Sequence, residues 1–64
     1  MEWYQEGRGF HRLRGDKGAV AVVRGTATHG WRFMLLRDGQ WSKVAYRTGM
    51  EAKQAAEVAI AEAR

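Results

Sequence analysis

The order of apolar and polar positions divides the chain into a β-rich part followed by one helix. Four segments combine valine or aromatic side chains with alternation of apolar and polar residues, which is typical of strands. These segments are residues 10–14, 19–24, 31–37 and 40–47. Residues 1–8 show no clear period, so we expect a tail or a short edge strand there, ahead of a single domain formed by residues 9–64.

The hairpin between residues 31 and 47 is the clearest local prediction. Asp38-Gly39 is a two-residue signal for a type I′ turn, which would pair Arg37 with Gln40. Because strand side chains alternate, pairing outward from this turn defines two faces. The predicted pairs on one face are Trp31 with Tyr46, Phe33 with Val44 and Leu35 with Ser42. The predicted pairs on the other face are Leu36 with Trp41, Met34 with Lys43, Arg32 with Ala45 and Gly30 with Arg47.

The last part of the chain predicts one helix with a well-marked start. Thr48 fits the N-cap position and Glu51 follows three residues later, which is the capping-box pattern. Small or aliphatic residues then recur at i, i+3, i+4 and i+7 spacing and share one helix face. These residues are Ala52, Ala55, Ala56, Ala59, Ile60 and Ala63. Since alanine allows close approach, we expect this face to pack on bulky side chains of the sheet.

These elements together predict an α+β fold, a three- to four-stranded antiparallel sheet with one C-terminal α-helix packed on one face. A single helix covers a single face, so the apolar face should lie beneath it and the basic face should be exposed. The two earlier strands should extend both faces. The residues expected on the exposed face are Phe10, Arg12, Arg14, Val20, Val22 and Arg24. The residues expected on the opposite side are His11, Leu13, Ala21 and Val23.

Positive charge is concentrated in the part of the chain that is expected to form the sheet. The 64 residues carry a net charge of +4. Residues 1–49 hold nine Lys/Arg and four Asp/Glu, a balance of +5, whereas residues 50–64 hold two and three, a balance of −1. A basic segment of this kind favours nucleic acid or an acidic protein surface as a partner. The plain alternative is that the arginines only keep a small protein soluble.

The exposed basic face supplies the candidate binding residues. Guanidinium groups pair with phosphates, and aromatic rings stack on bases, so the face suits nucleic acid. Trp, Met and Arg are also frequent at protein interfaces, which leaves a protein partner or a homodimer as alternatives. The candidate contact residues are Arg12, Arg14, Arg24, Arg32, Trp41, Lys43 and Arg47.

The sequence offers little that points to catalysis. There is no cysteine, and the two histidines, His11 and His29, stand 18 residues apart without an acidic cluster beside them. Ser42 is the single serine and lacks a nucleophile motif. We therefore expect no enzyme activity, metal, cofactor or small-molecule substrate. No apolar run is long enough for a membrane helix, and no signal peptide is recognisable, so we expect a soluble cytoplasmic protein that does not bind membranes.

Residues 31–57 carry a weak family resemblance. The hairpin, the Gly49 turn and the following Ala52-Lys53 and Ala55-Ala56 resemble the hairpin-plus-helix end of double-stranded RNA-binding domains. The same layout resembles the arm-binding domains of phage integrases, which lay a sheet into DNA. The chain as a whole looks like the small orphan proteins of phages and mobile elements, some of them anti-CRISPR inhibitors. These resemblances imply either nucleic-acid binding through the sheet or inhibition of a host protein or nucleoprotein complex through an acidic surface.

Overall fold

The computed structural model describes residues 1–62 and has an α+β fold. A five-stranded antiparallel sheet, with its strands in chain order, is covered on one face by a C-terminal helix. The elements are β1 (Glu2–Gly7), β2 (Phe10–Gly15), β3 (Gly18–Thr26), β4 (Gly30–Leu35), β5 (Gln40–Trp41) and α1 (Gly49–Glu62). The predicted class is confirmed, and the predicted number of three to four strands is wrong.

The fifth strand is β1. It lies in residues 1–8, where the sequence predicts either a tail or a short edge strand. It pairs with β2 so that Trp3 lies opposite Leu13 and Gln5 lies opposite His11. The Trp3 side chain packs against the buried core, which gives this edge strand an anchor. Aromatic residues favour strands. This preference and the packing of the Trp3 indole explain why a segment without clear periodicity forms a strand.

The β4–β5 hairpin pairs differently from the prediction. Leu35 lies opposite Gln40 and Met34 opposite Trp41, two residues away from the predicted partners. The turn is longer because the amides of Asp38 and Gly39 both donate to the carbonyl of Leu35, each at 3.0 Å. A shift of two residues keeps every β4 side chain on its predicted face, since alternation has period two.

β5 ends after two residues because the Ser42 hydroxyl, and not a backbone carbonyl, accepts the hydrogen bond of the Phe33 amide. The Ser42 amide donates to the Phe33 carbonyl at 2.7 Å, as a strand residue would. The Phe33 amide, however, donates to Ser42 Oγ at 3.2 Å, and this hydroxyl donates to the Val44 carbonyl at 2.8 Å. Side chains that bond to nearby backbone compete with the sheet ladder in this way.

The chain after Ser42 therefore leaves the sheet, and several predicted pairs do not form. Val44 is 58% exposed instead of packing opposite Phe33. Tyr46 returns to the sheet edge in an isolated bridge with Trp31, where the Trp31 amide donates to the Tyr46 carbonyl at 2.8 Å and the Tyr46 amide donates to the Trp31 carbonyl at 2.6 Å. The predicted Trp31–Tyr46 pair is confirmed. The predicted partners of five other residues are wrong, namely Arg37, Leu36, Leu35, Met34 and Phe33. Because the Trp31–Tyr46 bridge is isolated, the predicted pairs Arg32–Ala45 and Gly30–Arg47 do not form as part of a ladder.

The core lies between the sheet and the alanine face of α1. Ala52 and Ala56 are fully buried, and Ala59 and Ile60 are partly buried against the same cluster. The sheet residues beneath them that are buried are Leu13, Ala21, Val23 and Leu35. This confirms the predicted alanine face over the described residues, and Ala63 lies outside them. Methyl side chains let the helix sit close to the sheet, as expected of small residues.

Val20 is the one β3 residue that was predicted on the wrong face. The register between β2 and β3 shifts between Leu13 and Arg14, so that Arg14 lies opposite Ala19. Val20 is the extra residue of this bulge, and it packs against the core on the helix side. Its neighbour Val22 keeps the predicted position on the face away from α1.

The start of α1 follows the predicted cap. The amide of Glu51 donates to Oγ1 of Thr48 at 3.1 Å, which satisfies one of the free amides of the first turn. The next residue, Gly49, lies against the Trp31 indole, and a Cβ there would approach the ring within 3.3 Å. Further along, Lys53 Nζ lies 5.6 Å from the centre of the Trp3 ring. The helix thus meets an aromatic side chain of β4 and one of β1.

Gly25 allows the Trp31 side chain to lie across the sheet. A Cβ at Gly25 would come within 2.6 Å of Trp31 Cα and 2.8 Å of an indole carbon. On the other side of β3, the Gly25 amide donates to the Gly9 carbonyl at 3.0 Å. Gly9 has a positive φ of 68°, which favours glycine. Backbone and indole approach so closely here that a side chain at Gly25 would separate them.

Candidate binding face

The face of the sheet opposite α1, called the open face here, carries a continuous cross-strand row. Pairing between neighbouring strands places five side chains side by side, one from each strand. The row consists of Tyr4, Arg12, Val22, Met34 and Trp41. A second, shorter row contains Phe10, Arg24 and Arg32. Directly opposite side chains on one sheet face contact each other, so these rows form one surface.

Val22 is buried although no helix covers it. Only 4% of its surface is exposed. Its neighbours in the row are Arg12 and Met34, whose long aliphatic parts lie on either side of it. Arginine commonly covers apolar surface with its aliphatic part while its charged end stays near water, and methionine is a flexible apolar side chain that fills gaps. The open face therefore has a small apolar centre at Val22, which the side chains of its neighbours shield from water.

Acidic side chains neutralise part of the open face at the β1 edge. Arg12 Nε lies 3.4 Å from Glu6 Oε1, although the angle is not that of a hydrogen bond. Arg14 lies opposite Glu2, and the Tyr4 hydroxyl donates to Glu2 Oε2 at 2.6 Å. This hydrogen bond and the negative charge of Glu2 raise the pKa of Tyr4. The β1 edge is thus close to charge balance.

Arg24 and Arg32 lie directly opposite each other on β3 and β4. Neither forms an ion pair within residues 1–62, where the salt bridges join Arg12 to Glu6 and Arg37 to Asp38. Like charges at directly opposite positions of a sheet are destabilising. The exposed positive charge of the open face is therefore concentrated at this pair.

Arg32 is held in place by the segment that leaves the sheet. Its Nη1 donates to the carbonyl of Ser42 at 2.8 Å and to that of Lys43 at 3.2 Å. The Ser42 carbonyl is available because the Phe33 amide is bonded to the serine hydroxyl instead. The remaining guanidinium nitrogens, Nε and Nη2, keep their donors for a ligand. The arginine side chain therefore loses less conformational entropy when it binds.

A shallow cavity of about 200 Å³ lies beside this arginine pair. Arg24, Arg32 and Trp41 line it. The Trp41 side chain is 40% exposed, so part of its indole is accessible to a ligand. An aromatic surface with two guanidinium groups beside it can stack on a planar group and bind an anion next to it.

The predicted contact residues separate into two groups. The sheet brings Arg12, Arg24, Arg32 and Trp41 together on the open face and places Arg14 near its β1 edge. Lys43 and Arg47 lie in the irregular segment between β5 and α1, where Arg47 faces the β3–β4 turn. Their predicted places in a strand are wrong because β5 stops at Trp41.

Tyr4 is a residue of the open face that the sequence did not suggest. It is 46% exposed at the far end of the row from Trp41. Because residues 1–8 are expected to form a tail or a short edge strand, the sequence predicts no sheet face for Tyr4. The adjacent pair Trp3-Tyr4 was the available signal, because two neighbouring aromatic residues favour a strand that presents one ring to each side.

Neither histidine lines the cavity beside Trp41. His11 lies on the helix side, with its ring centre 5.9 Å from that of Trp31. Burial, and secondly the charge of Lys53, lower the pKa of His11. His29 belongs to the β3–β4 turn, where its amide donates to Thr26 Oγ1 at 3.0 Å. Within residues 1–62 no group of three or more His, Cys, Asp or Glu side chains is arranged to hold a metal ion.

Comparison with models of known families, with curated proteins and with solved structures found no match. In the part of the chain that the structure describes, α1 is too short and too polar to cross a membrane.

Proposed function

We propose that the protein is a small non-enzymatic binding module whose open face binds nucleic acid. The observation that carries the proposal is the Arg24–Arg32 pair, which lacks carboxylate partners among the described residues and adjoins the exposed indole of Trp41. Guanidinium groups form charge-assisted hydrogen bonds with phosphate oxygens. A phosphate near this pair would also relieve the repulsion between the two arginines.

The surrounding surface supports the same partner. Arg12 and Arg14 extend the positive strip toward β1, although Glu6 and Glu2 offset part of their charge. The phosphate backbone supplies most of the affinity of weakly specific binders, and clustered arginines supply the matching charge. The predicted nucleic-acid partner thus stays the leading proposal, with the contacts centred on β3, β4 and β5.

The test is the salt dependence of binding to a labelled DNA or RNA, measured by fluorescence anisotropy. Affinity should fall steeply between about 50 and 200 mM salt, with a log–log slope of about −0.9 for each neutralised phosphate of a duplex. Replacing both Arg24 and Arg32 by glutamine should weaken binding and make the slope shallower by about two phosphates.

A matched control removes the same charge elsewhere. Lys17→Gln with Arg37→Gln lowers the net charge equally at the β2–β3 and β4–β5 turns, away from the cavity. It should bind nearly as well as the unaltered protein. Equal losses in the two double variants would show that net charge alone attracts nucleic acid. Absence of binding to any DNA or RNA at about 50 mM salt would refute the proposal.

A second candidate function is supported by the exposed aromatic side chains of the same face and by a half-buried methionine in the same row. Tyr4, Met34 and Trp41 stand in one row with Arg12, and these residue types are enriched at protein interfaces. The protein would then be a phage or mobile-element accessory factor, anti-CRISPR-like, that blocks an acidic surface of a host complex. Co-purification of one defined host complex, lost with Trp41→Ala and retained with Met50→Ala on α1, would favour it.

A further inference from the structure

We infer that the nucleic acid is single-stranded and that an unpaired base stacks on Trp41, with its neighbouring phosphates bound by Arg24 and Arg32. This inference rests on the proposed function and specifies its substrate class. It depends on three observations: the cavity beside the indole, the paired arginines, and the hydrogen bonds that fix one of them.

The cavity has the composition expected of a stacking site. Its three lining residues are Trp41 and the two arginines, so a planar ring placed there would meet the indole and be bordered by guanidinium groups. Aromatic side chains bind successive bases of single strands by stacking, and arginine adds cation–π attraction. A purely electrostatic site for phosphates would need no exposed indole.

The two arginines are placed to bind the backbone next to a stacked base. They lie opposite each other on neighbouring strands, and both border the cavity. Arg32 is oriented by its bonds to the carbonyls of Ser42 and Lys43, so its free nitrogens have a defined direction. Arg24 has no such restraint among the described residues and can follow the backbone of the strand.

A duplex fits these features poorly. Its bases are stacked and paired, so only base edges and phosphates are available to a protein surface. An indole that is exposed beside a cavity gains little from such a partner. A single strand presents the faces of its bases, which is what the Trp41 site can use.

The experiment compares three labelled ligands of equal length, about 12 nucleotides, which lies within the site sizes of small single-strand binders. They are an oligothymidylate, the same backbone with abasic positions throughout, and a DNA duplex of mixed sequence. We expect the abasic strand to bind about tenfold or more weaker than oligothymidylate, because it keeps the phosphates and loses stacking.

Trp41→Ala identifies the residue responsible. It should weaken oligothymidylate binding about tenfold or more and leave binding to the abasic strand unchanged within about twofold, since that strand has no base to stack. Trp41→Phe keeps an aromatic ring and should retain most of the affinity. Met50→Ala, an exposed apolar residue on α1, is the matched control and should have no effect.

The outcomes separate this inference from the proposed function. If the duplex binds as tightly as oligothymidylate and Trp41→Ala weakens both equally or neither, the single-strand inference is wrong while nucleic-acid binding stands. If the abasic strand binds as well as oligothymidylate, stacking is refuted. If none of the three ligands binds, both proposals fail. Thermal unfolding of each variant excludes loss of fold, and Trp41→Phe provides the comparison should Trp41→Ala unfold.

Discussion

The two faces of the sheet differ in what covers their apolar side chains. On the face that α1 covers, Val23 is fully buried, and the buried residues of the helix are the alanines Ala52 and Ala56. On the open face, Val22 is 4% exposed, and its neighbours are the side chains of Arg12 and Met34. The first cover is a rigid element, whereas the second consists of two flexible side chains that can each adopt other rotamers.

Because of this difference, we expect the covered face to determine the stability of the sheet and the open face to be available for binding. A helix packed through methyl groups resists change because interiors are close-packed. The long side chains of Arg12 and Met34 can move toward a ligand without loss of backbone structure, because each can adopt other rotamers. The covered face should therefore be sensitive to loss of volume, and the open face to loss of charge.

The largest expected effect compares two adjacent valines of β3. Val23→Ala should lower the free energy of unfolding by about 2–3 kcal/mol, because the site beneath the helix cannot collapse. Val22→Ala should cost about 1 kcal/mol, since Arg12 and Met34 can close over the space. Urea unfolding monitored by circular dichroism measures both. Equal costs would mean that the cover of the open face is as rigid as α1.

A smaller effect distinguishes the two opposed arginines. Arg32→Gln removes two hydrogen bonds to the carbonyls of Ser42 and Lys43 and should cost about 1 kcal/mol. Arg24→Gln should change stability by less than about 0.5 kcal/mol, or raise it slightly, because it relieves like-charge repulsion. Thermal melts of the two variants give the comparison. A destabilisation by Arg24→Gln as large as that by Arg32→Gln would contradict it.

The smallest effect concerns pH and belongs to the covered face. Because the folded state lowers the pKa of His11, it favours the neutral imidazole. The stabilisation is present above the unfolded pKa of about 6.5 and is lost as the pH falls through the lower folded value. His11→Gln should flatten the pH dependence of stability in this window. An imidazole titration by NMR with a midpoint at or above about 6.5 would contradict the prediction.

The sequence was sufficient for features set by local chemistry and by strand parity. Thr48 caps the helix as its side chain and spacing suggest, and the alanine face packs inward. Trp31, Phe33 and Leu35 point toward α1 even though the hairpin pairs differently, because the shift of two residues preserves alternation. A predicted strand register that is wrong by an even number of residues still places each side chain on the correct face.

Features set by single side chains or by tertiary contacts were not predictable in this way. The bulge that turns Val20 inward depends on how β2 and β3 align around Leu13. The end of β5 depends on the hydroxyl of Ser42, which no periodicity marks. Lys43 and Val44 both follow that serine and lie outside β5, so the predicted sheet face is wrong for both residues. The binding role of the seven candidate residues stays a prediction.

The early end of β5 also leaves the sheet with two very different margins. One margin is two residues long, and the other is the six-residue β1. Fibrils grow when unpaired strands on both sides of a molecule recruit further chains, and a short margin gives such recruitment almost no template. The longer margin carries the charged side chains of Glu2 and Glu6, and charged residues make an edge strand a poorer template for pairing. We therefore expect the Ser42 hydroxyl, which ends β5 early, to limit strand-to-strand polymerisation of this sheet.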